Sequence, residues 1–153
     1  SPALAEIKAA DWLKNPLFHQ EVFGAFSLLV VYRDQEELLK IAQQLQGQLT
    51  ITLWAELEEL KNHLPLVNLL QEKCGRLLFK GAPTGVEVGH AMQHGGPFPS
   101  TTANQTTSVG SYAIKRFARP IAFQDMPQTL LPGALMDANP LGIWRTVNGN
   151  LSK

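Results

Sequence analysis

From Ser27 to Arg33 the chain reads SLLVVYR, an apolar run of strand length with no alternation. That pattern predicts a strand covered on both faces, as in a parallel sheet. Asp34 then stands three residues before Glu37, matching a capping box, and Leu38, Leu39, Ile41, Ala42 and Leu45 recur at helical spacing. Gly47 is the expected stop of that helix. LTITLWA (Leu49 to Ala55) predicts a second buried strand. From Glu56 to Lys73, Leu57, Leu60, Leu64, Val67 and Leu70 (with Cys74 just beyond) form another helical stripe. Pro65 inside it forces a kink, or a restart with proline in the first turn. GRLLFKG (Gly75 to Gly81) predicts a third strand. Ahead of all this, residues 3 to 14 are read as a short helix with Leu4, Ile7 and Leu13 inward, ended by Asn15-Pro16.

Strand, helix, strand, helix, strand in this order predicts right-handed crossovers and parallel pairing, an α/β fold with a βαβαβ core. Ligands in such sheets sit at the carboxyl ends of the strands. A long irregular stretch, Ala82 to Gly110, leaves from such an end. Loops of that length in compact domains are uncommon and usually functional or disordered, and its shifting, non-repeating composition reads as an ordered, site-lining loop. Beyond it, Ser111 to Ala118 predicts one or two helical turns, and Pro120 to Gln124 a short strand opened by proline. The remainder, interrupted at Pro127, Pro132, Gly133 and Pro140, reads as coil anchored by Leu130, Leu131, Leu135 and Trp144.

Size and charge narrow the function classes. At 153 residues one domain is expected, and a chain of this length buries enough surface for a core without disulfide or metal. Thirteen basic and thirteen acidic residues cancel, which argues against a nucleic-acid or anionic-membrane surface. No apolar stretch has membrane-spanning length. The opening SPALAEIKAADWL does not read as a signal peptide, and a single cysteine fits the cytoplasm.

The candidate chemistry lies mostly in the loop. Cys74 falls at the expected end of a helix on its packed side, where the macrodipole disfavours a thiolate, so it reads as structural and not as a nucleophile. His90 and His94 lack the further ligands that zinc requires, and no metal is assigned. His94-Gly95-Gly96-Pro97 shapes the backbone either for close approach to a ligand or as an ordinary turn. Thr106 to Gly110 can cap the following helix or hold an anion. Glu21 is open to three readings: a base, a ribose-binding carboxylate or a solvated charge. Neither a G-x-G-x-x-G nor a P-loop pattern occurs.

Glu21-Val22-Phe23-Gly24 followed by FSLLVVYRDQEELLKIAQQLQGQLTITLWA resembles the later part of an NAD(P)-dependent aldehyde dehydrogenase. The segment from Cys74 to Pro132, with PTGVEV, HGGPFP, TSVG and a helix ending in Arg119-Pro120, resembles the 2,5-dioxovalerate (α-ketoglutaric semialdehyde) dehydrogenase branch. The resemblance spans nearly the whole chain. It implies the C-terminal half of a catalytic domain, residues 1–153 forming one partial domain, with about 119–126 as an oligomerisation strand. It further implies that Glu21 and Phe23 meet the nicotinamide riboside of NAD or NADP. His94, Gly95, Gly96, Pro97, Phe98 and Ser108 would border the substrate. Ser111-Tyr112 stands where many relatives have Arg-Glu, so no proton-relay glutamate is carried over.

The reaction implied is oxidation of a semialdehyde, 2,5-dioxopentanoate to 2-oxoglutarate, through a cysteine thiohemiacetal and thioester. The nucleophile and general base of that reaction belong to a part of the family that precedes the Glu-Val-Phe-Gly motif. The 153-residue chain is therefore expected to be silent and to bind no cofactor alone. A homo-oligomer with a small-molecule substrate, and no nucleic acid or membrane partner, completes the expectation. The rival readings are a module binding a small carboxylate and a purely structural assembly piece.

Overall fold

The computed structural model describes residues 1–83, 85 and 87–153; Thr84 and Val86 of the PTGVEV motif lie outside the described residues. The chain divides into two compact units, Ser1–Ala118 and Arg119–Lys153.

The first unit contains helices and two small parallel sheets, as an α/β reading requires. β1 (Ala3–Lys8) pairs with β2 (Phe26–Val31), in the register Ala5↔Leu28 and Ile7↔Val30. The helix expected over residues 3–14 is thus half strand, and only α1 (Ala9–Trp12) is helical. The three-residue spacing of Leu4 and Ile7 suggested a helix. Pairing with β2 instead imposes a period of two, with Ala5 and Ile7 half-buried and Leu4 75% exposed. Ala9 and Trp12 of α1 are buried. β2 is not covered on both faces: Leu28 and Val30 are half-buried, while Leu29 and Val31 remain exposed.

α2 (Gln35–Gln44) starts at Asp34, whose carboxylate accepts the N–H of Glu37 at 2.9 Å. The return half of the expected box is displaced by one residue. Glu37 accepts the N–H of Arg33, not of Asp34, and also the Arg33 guanidinium. The helix ends at Leu45 before reaching Gly47. β3 (Gln48–Leu53) and β4 (Cys74–Phe79) pair in parallel, in the register Gln48↔Cys74 and Leu53↔Phe79. Between them, α3 (Leu57–Asn62), opened by a Glu56–Glu59 capping box, and α4 (Leu64–Glu72) meet at His63. Pro65 sits in the first turn of α4, so the stripe restarts.

Ala42, Leu66 and Leu70 are the buried centre of a core, flanked by Leu38, Ile51, Leu53 and Leu77. That core joins α2 and α4 to β3 and β4. The expected continuous βαβαβ sheet is not formed among the described residues: β2 and β3 belong to separate sheets, and β2 takes β1 as its neighbour. The sequence order was compatible with either pairing, because strand contacts are not local.

The second unit ends in a hairpin, β5 (Arg145–Val147) with β6 (Asn150–Ser152). Asn148 and Gly149 both adopt positive φ at its turn, the geometry of a two-residue hairpin loop. This replaces the coil expected there. The Arg145 guanidinium donates to the carbonyls of Met136 and Asp137. Residues 120–124 are not a strand, since no described segment offers them a ladder partner; Ile121 is exposed.

Candidate functional site

The loop leaves β4 at its carboxyl end but does not stay there. Its glycines come back to the opposite end of the sheet, beside the first residues of β3 and β4. A Cβ on Gly75 would lie 1.5 Å from the Gly95 carbonyl oxygen, and one on Gly96 would lie 2.4 Å from that of Gln48. A Cβ on Gly47 would meet the Pro97 carbonyl oxygen at 2.1 Å. Gly47 therefore serves close backbone approach rather than a helix stop. Gly95 and Gly96 are buried, and the pair reads as a packing device against the strand ends.

A second strip of chain fastens this one. The His94 N–H donates to Thr107 Oγ1 at 2.7 Å, and the Ser108 N–H donates to the His94 carbonyl at 3.1 Å. Ser108 Oγ also donates to that carbonyl at 2.9 Å, and lies 2.9 Å from His94 Nδ1. With the hydroxyl proton engaged by the carbonyl, the ring proton sits on Nδ1 and donates to Ser108 Oγ; the tautomer is assigned by this network. Thr107 is 3% exposed and gives its own proton to the Val109 carbonyl at 2.7 Å. The Thr and Ser hydroxyls thus clasp the loop and do not cap the next element. That element, a 3-10 stretch Ser111–Phe117, starts after Gly110 at φ 96° with no side-chain cap.

The residues singled out from the sequence fall into two groups. His94 to Phe98 and Ser108 are brought together, with Phe98 reaching outward at 74% exposure. Glu21 and Phe23 stand in the connection before β2, both exposed, and among the described residues no hydrogen bond joins either of them to the loop. His90 is engaged elsewhere, edge-on to Tyr112 at 5.9 Å. Cys74 opens β4 instead of closing a helix; its thiol donates to the Leu70 carbonyl, and burial pushes its pKa up despite two backbone hydrogen bonds. That is the opposite of what a nucleophilic thiolate needs.

Two participants were not singled out individually in the sequence. Thr107 was one of three successive hydroxyl residues, Thr106-Thr107-Ser108, with nothing to mark it as the buried one. Arg116 lines the same cavity as His94 and Ser108; only its place on a helical turn near the loop's end could have suggested it.

No helix among the described residues is long and apolar enough to cross a membrane. No protein-family model matches the chain. Curated proteins do match, two of which are as follows. An alpha-ketoglutaric semialdehyde dehydrogenase of Acinetobacter baylyi is 50% identical over 139 residues, 91% of this chain and 26% of the relative. Alpha-ketoglutaric semialdehyde dehydrogenase 2 of Azospirillum brasilense is 48% identical over 147 residues, 96% of this chain and 28% of the relative. The chain spans about a quarter of the length of these relatives. As a segment of that extent, it belongs to the aldehyde dehydrogenases, among those similar to the alpha-ketoglutaric semialdehyde enzymes.

Proposed function

We propose that the chain is the later, substrate-side segment of an NAD(P)-dependent enzyme that oxidises a small semialdehyde bearing a carboxylate, 2,5-dioxopentanoate in the first instance. The observation that carries this is identity of about half over nine-tenths of the chain with proteins named for that aldehyde. The loop supports it. Its backbone is fixed against β3 and β4 by the glycine contacts and by Thr107, while Phe98 remains outward for an apolar contact with a substrate. A rigid wall of this kind can orient an aldehyde and exclude water from one side.

Glu21 and Phe23 suit a nicotinamide riboside. Glu21 is exposed and accepts no hydrogen bond from the described residues, leaving its carboxylate for a ribose diol. Phe23 is 91% exposed two residues on, an aromatic surface available to a flat ring. When bound, NAD(P)+ accepts the hydride removed from the substrate. Cys74 takes no part in the chemistry, so the nucleophile is supplied by sequence outside these 153 residues and the isolated segment turns over nothing. Residues 119–126 act as a strand only when another polypeptide supplies the neighbour, in keeping with a homo-oligomer.

The test is an assay of two preparations with 2,5-dioxopentanoate and either NAD+ or NADP+: the 153-residue chain, and the longer protein that carries it. Reduced nicotinamide is expected from the second alone. Turnover by the isolated chain, or none by the longer protein with either cofactor, overturns the reading.

A further inference from the structure

We propose that Arg116 closes a carboxylate-binding subsite in the loop, holding the acid end of the small substrate that the reading above assigns. The choice of ligand rests on that reading; the charge of the site does not. A cavity of about 400 Å³ is lined by His94, Ser100, Thr101, Thr106, Ser108 and Arg116, and no acidic residue lines it. Its hydroxyls look like ready donors, yet all but that of Thr102, which also lines the cavity, have their protons already placed. Ser100 Oγ donates to the Pro97 carbonyl, Thr101 Oγ1 to Gly96 and Thr106 Oγ1 to Ala103. Ser108 Oγ donates to His94. These bonds stiffen the wall and leave it rich in oxygen lone pairs.

Against that wall the Arg116 guanidinium is the one fixed positive charge in the lining, and no hydrogen bond or ion pair to it occurs among the described residues. Arginine is permanently protonated and presents its donors in a planar fork, so the site takes an anion, and a planar carboxylate can bond to two of those donors at once. The contrast with Arg33 is instructive: that guanidinium is already occupied by Glu37. Arg116 has no such partner among the described residues, and it lines the same cavity as His94 and Ser108.

The subsite is tested by NMR titration of the isotope-labelled 153-residue chain with glutarate, a five-carbon dicarboxylate. Glutarate is expected to shift the amides of the loop around His94 and Ser108 and the Arg116 side-chain N–H. Arg116→Gln should weaken binding by about tenfold or more, the loss of a charge-assisted hydrogen bond. Because Arg116 contacts no described polar group, that variant should keep the spectrum of the parent. Glutaramide, of the same length but uncharged, should shift nothing, which tests the charge without any substitution. Unchanged glutarate affinity in Arg116→Gln, equal binding of glutaramide, or inorganic phosphate binding more tightly than glutarate would each sink the proposal. No cofactor or nucleophile enters the titration. If glutarate fails to bind while the longer protein oxidises 2,5-dioxopentanoate, the subsite is wrong and the dehydrogenase reading stands. If glutarate binds through Arg116 while the longer protein oxidises nothing, the subsite stands and the reading falls.

Discussion

Thr107 Oγ1 accepts the His94 N–H at 2.7 Å across thirteen residues of chain, and does so while 97% of its own residue surface is covered. Thr107→Val keeps the shape but strands that part-buried N–H. The expected cost is about 1–3 kcal/mol in urea unfolding, with Thr107→Ser retaining most of the stability. Equal midpoints for the Val variant and the parent would remove the clasp from the account.

Gly75 is the contact on which the loop closes. Gly75→Ala places a methyl where the Gly95 carbonyl lies, 1.5 Å away, so backbone has to move. A loss of roughly 1–3 kcal/mol is expected, together with faster proteolysis between His94 and Pro99. Gly89→Ala, where nothing lies within 4 Å of the added carbon, serves as the control. Identical cleavage rates in the two variants would show that the close approach does not hold the loop.

Leu70 belongs to the small buried cluster with Ala42 and Leu66. Leu70→Ala should cost about 2–5 kcal/mol. Leu57→Ala, at a side chain 60% exposed, should cost far less. The comparison is read from chemical denaturation, and similar losses at both sites would mean that the core is elsewhere.

Glu37 sets an acid-side dependence. Its carboxyl is held below the usual range first by the hydrogen bond from the Arg33 side chain and then by the Arg33 N–H, against a smaller upward push from burial. A carboxyl depressed in the folded state contributes its full stability above its unfolded pKa and loses it as pH falls through the folded value. The unfolding midpoint should therefore drop on acidification. Glu37→Gln should be less stable at neutral pH and lose less of its stability toward acid. Parallel pH profiles for parent and variant would contradict this.

The helical stripes were legible because periodicity is local. Asp34 marked the start of α2 correctly, and Pro65 marked the restart of α4. Residues 3–8 misled because a segment as short as ALAEIK satisfies both periods, and only its neighbour β2 decides between them. VNGN carried a hairpin signal at Asn148-Gly149 that the prolines earlier in the tail obscured. Of the site, the resemblance picked out His94 to Phe98 and Ser108, which the structure brings together. It could not show that Gly47 and Gly75, far away in the chain, make room for them. Such clearances are pairwise and appear in no single stretch of sequence.

The return of the loop to the starts of β3 and β4 has a dynamic consequence. Leaving at one pole of a two-stranded sheet and fastening at the other, the chain cannot swing open about a single hinge. Its amides around His94 and Ser108 should exchange with solvent in step with those of β4, as one cooperative unit. In an enzyme built on it, entry and exit of substrate would fall to other parts, with this stretch serving as a fixed jamb against which they move.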